Sequence, residues 1–187
     1  DSPFGGNGYV GLATMETADG SLADDAVSVQ RMYYQFPYSD DMTITVGPRV
    51  RQDDMLAVWP STYPADTVLD TFTYAGAPGV YNLAAGGGAG FTYNTGNIDF
   101  SYNYVSTNAH QGNSATGGGL VNEAAAGVST LQGAYTEDSW GIALGYAYSQ
   151  SDEGATNNHT GRLGAGNSTP LVNDIYDMGP TSSYSLS

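Results

Sequence analysis

The stretch Trp140-Gly141-Ile142-Ala143-Leu144-Gly145-Tyr146-Ala147-Tyr148 alternates without a break. Trp140, Ile142, Leu144, Tyr146 and Tyr148 are large and apolar, and only Gly and Ala stand between them. A period of two is that of a β-strand, because successive side chains leave opposite faces of the pleat. A strand of a soluble sandwich turns its bulky face inward and shows Lys, Glu or Thr to water. Here the second face is nearly bare, and aromatic residues gather toward the strand ends. That suits a transmembrane barrel: lipid against the bulky face, aromatic girdles at the interfaces, space inside.

The same alternation recurs upstream and groups into hairpins. Val27 to Phe36 leads through Pro37-Tyr38-Ser39-Asp40-Asp41 into Met42 to Arg51. Pro37 has no N–H for a ladder bond and belongs at the strand end. Even positions Met32, Tyr34, Phe36, Met42, Ile44 and Val46 make an apolar face. Odd positions Arg31, Tyr33, Gln35, Thr43, Thr45, Arg49 and Arg51 make a polar one. A second hairpin runs from Ala89 to Tyr93, turns at Asn94-Thr95-Gly96-Asn97 and returns through Ile98 to Val105. Phe91, Tyr93, Ile98, Phe100, Tyr102 and Tyr104 lie opposite Thr92, Asp99, Ser101 and Asn103. The third runs Gly127 to Tyr135, turns at Thr136-Glu137-Asp138-Ser139, and returns along the opening stretch.

Charge segregates by face. The apolar faces carry none, whereas Arg31, Arg49, Arg51 and Asp99 take the other parity. An Arg facing lipid at midplane costs about 2–4 kcal/mol. A sandwich core also excludes charge, so the aromatic enrichment is what favours the membrane.

Composition narrows the function classes. Charged residues are 12% of the 187-residue chain, against about 25% in ordinary soluble domains. Lys is absent, and Arg31, Arg49, Arg51 and Arg162 face 19 Asp and Glu, for a net charge of -15. That balance disfavours nucleic acid, whose phosphates need cationic neutralisation. The absence of Cys removes disulfide, iron–sulfur and Cys-zinc readings together. No apolar run reaches the roughly 18 residues of a membrane helix. Asp1-Ser2-Pro3-Phe4 is neither a signal peptide nor a start with Met, as expected of an internal piece or a processed product.

Connection lengths give a topology. Turns within hairpins are tight, whereas Gln52 to Gly88, Ser106 to Ala126, and Ser149 to about Thr181 are long. Outer-membrane barrels have short periplasmic turns and long external loops, so the long connections are expected outside. About six strands are complete, and Ser183 to Ser187 begins a seventh. So few strands enclose no pore, and an open edge is not tolerated in hydrocarbon. The expected fold is therefore all-β: residues 1–187 form part of an antiparallel transmembrane β-barrel completed by strands beyond this sequence.

Two groups of residues are candidates for function. Arg31, Arg49 and Arg51, with Tyr33 and Asp99, share the inward parity and would line a pore. Inward cations on a low-dielectric wall focus their field on passing ions. The alternative is that each Arg satisfies a neighbouring Asp and steers nothing. The loop that follows carries Asp53, Asp54, Asp66 and Asp70, yet is rich in apolar side chains, among them Leu56, Val58, Trp59, Val68, Leu69 and Phe72. It must bury them, either in the lumen as a constriction or against a neighbouring subunit through Trp59 and Phe72; the inward course is favoured.

The segment Arg49 to Pro64 (Arg-Val-Arg-Gln-Asp-Asp-Met-Leu-Ala-Val-Trp-Pro-Ser-Thr-Tyr-Pro), with Leu69 to Asn82 and the strand end Tyr33-Tyr34-Gln35-Phe36-Pro37, resembles the cyanobacterial outer-membrane porins. These are of the carbohydrate-selective (OprB-type) group, often labelled iron-uptake porins. The resemblance spans roughly Val27 to Tyr148 and is most specific around Trp59. It implies a barrel of about sixteen strands, usually a homotrimer, passing small solutes and inorganic ions by diffusion across the cell outer membrane. It also implies an N-terminal periplasmic domain that anchors the membrane to the wall. That domain and the closing strands do not occur in this sequence.

The remaining motifs carry no chemistry. Gly161 to Ser168 has the glycine spacing of a phosphate loop but places Asn167 where Lys is required. His110 and His159 lie apart without acidic partners, and Asp19 to Asp25 lacks a Ca²⁺-loop register. Gly86-Gly87-Gly88 reads as flexible loop or strand entry. No nucleophile elbow appears. The expectation is a non-enzyme without cofactor or metal. The competing reading is an acidic Gly/Ser/Asn-rich cell-surface or fibre protein that binds partners and conducts nothing.

Overall fold

Alternation becomes a single antiparallel meander in the computed structural model, which describes residues 29–62, 75–77, 79–112, 119–121, 125–150 and 180–187. The strands are β1 (Met32–Pro37), β2 (Met42–Arg51), β3 (Ala85–Thr95), β4 (Ile98–Ser106), β5 (Gly127–Thr136), β6 (Gly141–Ser149) and β7 (Thr181–Leu186). They lie side by side in chain order as one seven-stranded sheet. Among the described residues there is no α-helix, only a 3₁₀ turn at Gln52–Met55.

Register aligns the apolar parity of every strand. Phe36 pairs Ile44, Ile44 pairs Phe91, Phe91 pairs Tyr102, Tyr102 pairs Leu131, Leu131 pairs Tyr146, and Tyr146 pairs Tyr184. One row of large side chains therefore crosses the whole sheet. Within it Phe91 meets Tyr102 at 6.5 Å between ring centroids, and Tyr146 meets Tyr184 at 5.1 Å. Such cross-strand pairs are the unit of sheet stabilisation. Much of this face is exposed, with Tyr34 at 68%, Leu144 at 60% and Tyr184 at 77%, while at the end of the long connections the Tyr104 hydroxyl donates to Leu120 O.

The opposite parity is small, polar and buried. Its rows include Thr45, Gly90, Asn103, Thr130 and Ala147, and Thr92, Ser101, Gln132 and Gly145. Ser101, Asn103, Thr130 and Gln132 are completely buried, while Tyr102 and Leu131, which alternate with them, are 40% and 39% exposed. The hydrophobic cluster of Val50, Met55, Ala84, Val105 and Val128 lies on this face, at the end of the long connections.

The tight turns share the other end. Asn94 N–H donates to Asp41 O and Thr136 N–H to Asn97 O, each at 2.9 Å, so neighbouring hairpin ends abut. Gly96 (φ 57°) takes the left-handed conformation a two-residue hairpin turn requires.

Two elements depart from strict alternation. β3 begins at Ala85, so Gly86-Gly87-Gly88 is ladder rather than loop. A Cβ on Gly86 would lie 2.0 Å from Ser106 O, and one on Gly88 2.3 Å from Tyr104 O, which explains bare backbone there. In β2 the register slips on both sides: Tyr34 pairs Val46 but Met32 pairs Arg49, and Gly47 pairs Gly88 but Val50 pairs Gly86. The slip falls at Gly47-Pro48, where Pro cannot donate to the ladder, and a bulge of this kind reverses parity beyond it. Val50 accordingly turns into the core at 0% exposure. The inward parity read for Arg49 and Arg51 is thereby corrected: past the bulge both take the parity of the apolar face.

Candidate functional site

The buried polar face is buried by the chain's own loop. After β2 the chain makes the 3₁₀ turn, runs on through Leu56 to Thr62, and returns by Ala77 and Val80 to Ala84. Gln52 N–H donates to Ala84 O at 2.8 Å and closes the neck. Side chains from the loop fill sockets left by glycine. A Cβ on Gly90 would stand 2.9 Å from Met55 Sδ, and one on Gly145 would stand 2.7 Å from Val80 Cγ1 and 2.9 Å from the Tyr81 hydroxyl. Bulk on these strands is thus excluded by the loop as well as by the sheet.

Polar groups hold the contact. The Gln52 amide donates to Val80 O and, at 2.8 Å, to Thr130 Oγ1, and its carbonyl accepts from Leu83 N–H at 3.2 Å. Gln132 Nε2 donates to Val58 O at 2.8 Å while Gln132 Oε1 accepts from Val58 N–H at 3.1 Å. A strand side chain thereby imitates a ladder partner for an irregular loop residue, satisfying backbone groups that burial would otherwise leave unpaired. Gln132 Nε2 and Ser185 Oγ also donate to the Tyr81 hydroxyl, each at 3.3 Å. Trp59 meets Tyr81 edge-on at 5.7 Å and packs against the cluster of Val80, Tyr81 and Ala147. Beside it a cleft of about 340 Å³ opens between Val58–Thr62 of the loop and Ala134, Thr136, Gly141 and Ala143 of the sheet.

The charged candidates gather at the loop's root. Arg31 Nε pairs Asp54 Oδ2 at 2.9 Å, and Arg51 Nε pairs Asp53 Oδ1. Asp54 Oδ2 also accepts Arg51 N–H at 2.9 Å, as an acid at the start of a helical turn does. These pairs tie β1 and β2 to the loop and offset two of the positive charges. Their side chains remain 12–31% exposed, and partly exposed pairs contribute about 0–1 kcal/mol each.

The other candidates stand apart from that knot. Arg49 is exposed, and its Nε donates to Gln30 O at 3.2 Å. Tyr33, 41% exposed, lies on the edge strand β1. Asp99 is on the polar face but only 8% exposed. It accepts from Asn94 Nδ2 at 2.6 Å and Thr136 Oγ1 at 2.7 Å, so it fastens two hairpin ends together and is closed to solutes. Asp66 and Asp70 lie outside the described residues, as do Val68, Leu69 and Phe72. Sequence reading missed Gln52, Gln132, Thr130 and Tyr81, the residues that seat the loop. The one available signal was Gln132, a long amide on a strand face otherwise cut down to small side chains.

His110 has Nδ1 at 3.2 Å from Thr107 O. No cluster of metal-ligating side chains occurs among the described residues. No family model, curated protein or solved structure matches the chain.

Proposed function

We propose that this chain is wall and constriction of an outer-membrane porin, passing ions and small hydrophilic solutes by diffusion. The observation that carries the reading is the inversion of the sheet. Its large apolar side chains share one face from Tyr34 on β1 to Tyr184 on β7, both of them largely exposed, while the opposite face is polar and is occupied by the chain's own loop. Large contiguous apolar surface on a soluble protein marks an interaction site. Apolar-out, polar-in alternation on tilted antiparallel strands is what a lipid-embedded barrel requires. In the porin the long connections face outward, and further strands pair the open edges of β1 and β7, since hydrocarbon does not tolerate unpaired backbone.

The seating of residues 52–62 and 79–84 favours a constriction over a subunit contact. Trp59 is engaged with Tyr81 on the polar side, away from the face that lipid or a neighbouring barrel of a homotrimer would meet. Selectivity then depends on Arg31, Asp53 and Asp54 at the root of the loop, with Arg51 turned back from the outer parity by its pair with Asp53, so the charge is mixed rather than a cationic ring.

The experiment is extraction and conductance of the full-length protein. A porin partitions into detergent, shifts on a gel only after heating, and yields discrete channels in a planar bilayer. Dispersal without detergent together with silent bilayers would discard the pore in favour of the acidic surface-protein reading.

A further inference from the structure

The bulge in β2 has a second effect, on the outer side. It carries Arg49 and Arg51 to the parity of the apolar face; Arg51 turns back to Asp53, and Arg49 stays exposed at the rim. Met32 is its direct cross-strand partner and is 54% exposed. Next along the same parity comes the row Tyr34, Val46, Ala89, Tyr104, Ser129, Tyr148. Three tyrosines in one row are the arrangement that sits where hydrocarbon gives way to headgroups. Arg49 follows at the end of the long connections, and the acidic turn residues Asp40, Asp41, Glu137 and Asp138 occupy the opposite end.

Charge bookkeeping isolates this side chain further. Asp53 and Asp54, the carboxylates nearest in sequence, are engaged by Arg51 and Arg31. Among the described residues no carboxylate forms an ion pair with Arg49, and its Nε donates to the Gln30 carbonyl at 3.2 Å. The side chain is exposed, and its guanidinium is a planar fork of the kind that fits a phosphate.

We propose that Arg49 binds the phosphate of an anionic lipid headgroup at the external rim of the barrel. The proposal rests on the membrane reading above and adds a ligand class and a residue to it. Arg49 belongs to the lipid side and plays no part in solute selectivity.

The test uses the full-length protein and its R49Q and R49K variants in vesicles of phosphatidylcholine, alone or at roughly three parts to one of phosphatidylglycerol. Spin-labelled analogues of the two lipids report the relative affinity of the protein's lipid shell. The wild type should prefer phosphatidylglycerol by about fivefold at the tightest site, the factor corresponding to about 1 kcal/mol per basic residue near the surface. R49Q should lose that preference and R49K should keep part of it, with strand content unchanged by circular dichroism. Equal preference in wild type and R49Q, or none in the wild type, overturns the assignment while leaving the porin intact. Failure of the protein to enter either vesicle overturns the membrane reading, and this proposal with it.

Discussion

At the scale of the residue, two amides and two ion pairs decide where a long loop goes. Gln52 and Gln132 satisfy backbone groups of the loop that no ladder reaches. Gln52→Leu keeps the volume but orphans Val80 O and Leu83 N–H, and a buried group left unpaired costs about 1–3 kcal/mol. Hydrogen exchange at Leu83 should accelerate correspondingly, with β3 and β4 amides unaffected. Asp53 and Asp54 hold the positive charges of Arg51 and Arg31. In the pore, replacing both with Asn uncovers those cations, so the reversal potential under a salt gradient should move toward anions. The shift should shrink with ionic strength, because exposed charges are screened over about 8–10 Å near physiological salt. An unmoved potential with normal conductance would make the knot purely structural.

At the scale of the element, the strands were legible because their period is a local property. Trp140 to Tyr148 and Ile98 to Val105 alternate so strictly that facing and pairing follow directly. The bulge was not legible, since Gly47-Pro48 fits equally a strand end or a slip, and only the partners at Gly88 and Gly86 settle which. The glycines of β3 fitted a loop or a strand entry for a related reason, and they prove to be strand entry: their lack of side chains serves neighbours distant in sequence. Gly145 and Gly133 make a matched test. Gly145→Val drives new atoms into Val80 and Tyr81, whereas a Cβ at Gly133 meets nothing within 4 Å. Overpacking costs about 1–3 kcal/mol, so Gly145→Val should lift the loop and open Trp59 to Thr62 to limited proteolysis. Gly133→Ala should leave the digestion pattern as it is.

At the scale of the whole molecule, the sheet is divided by polarity, and the medium it meets decides what a charge on its bare face costs. Leu144, on the bare face near the middle of β6, is 60% exposed. Leu144→Arg in lipid should destabilise folding into vesicles by about 2–4 kcal/mol near midplane. In water an exposed substitution of this kind stays within about 0.5 kcal/mol. Urea titration of vesicle-folded protein separates the two, and a change confined to the smaller range would argue for a water-facing sheet.

The sequence by itself determined the strands, the separation of their faces and the tight turns at one end. Each of these depends on side-chain period and turn chemistry within a few residues. Tertiary structure decided which Arg meets which Asp, that Arg49 and Arg51 leave the polar parity, that Asp99 is closed off between hairpins, and that the loop lies on the small-residue face. Those outcomes depend on contacts such as Gln52 with Thr130 and Gln132 with Val58, 78 and 74 residues apart in the chain. Local periodicity carries no record of separations that long.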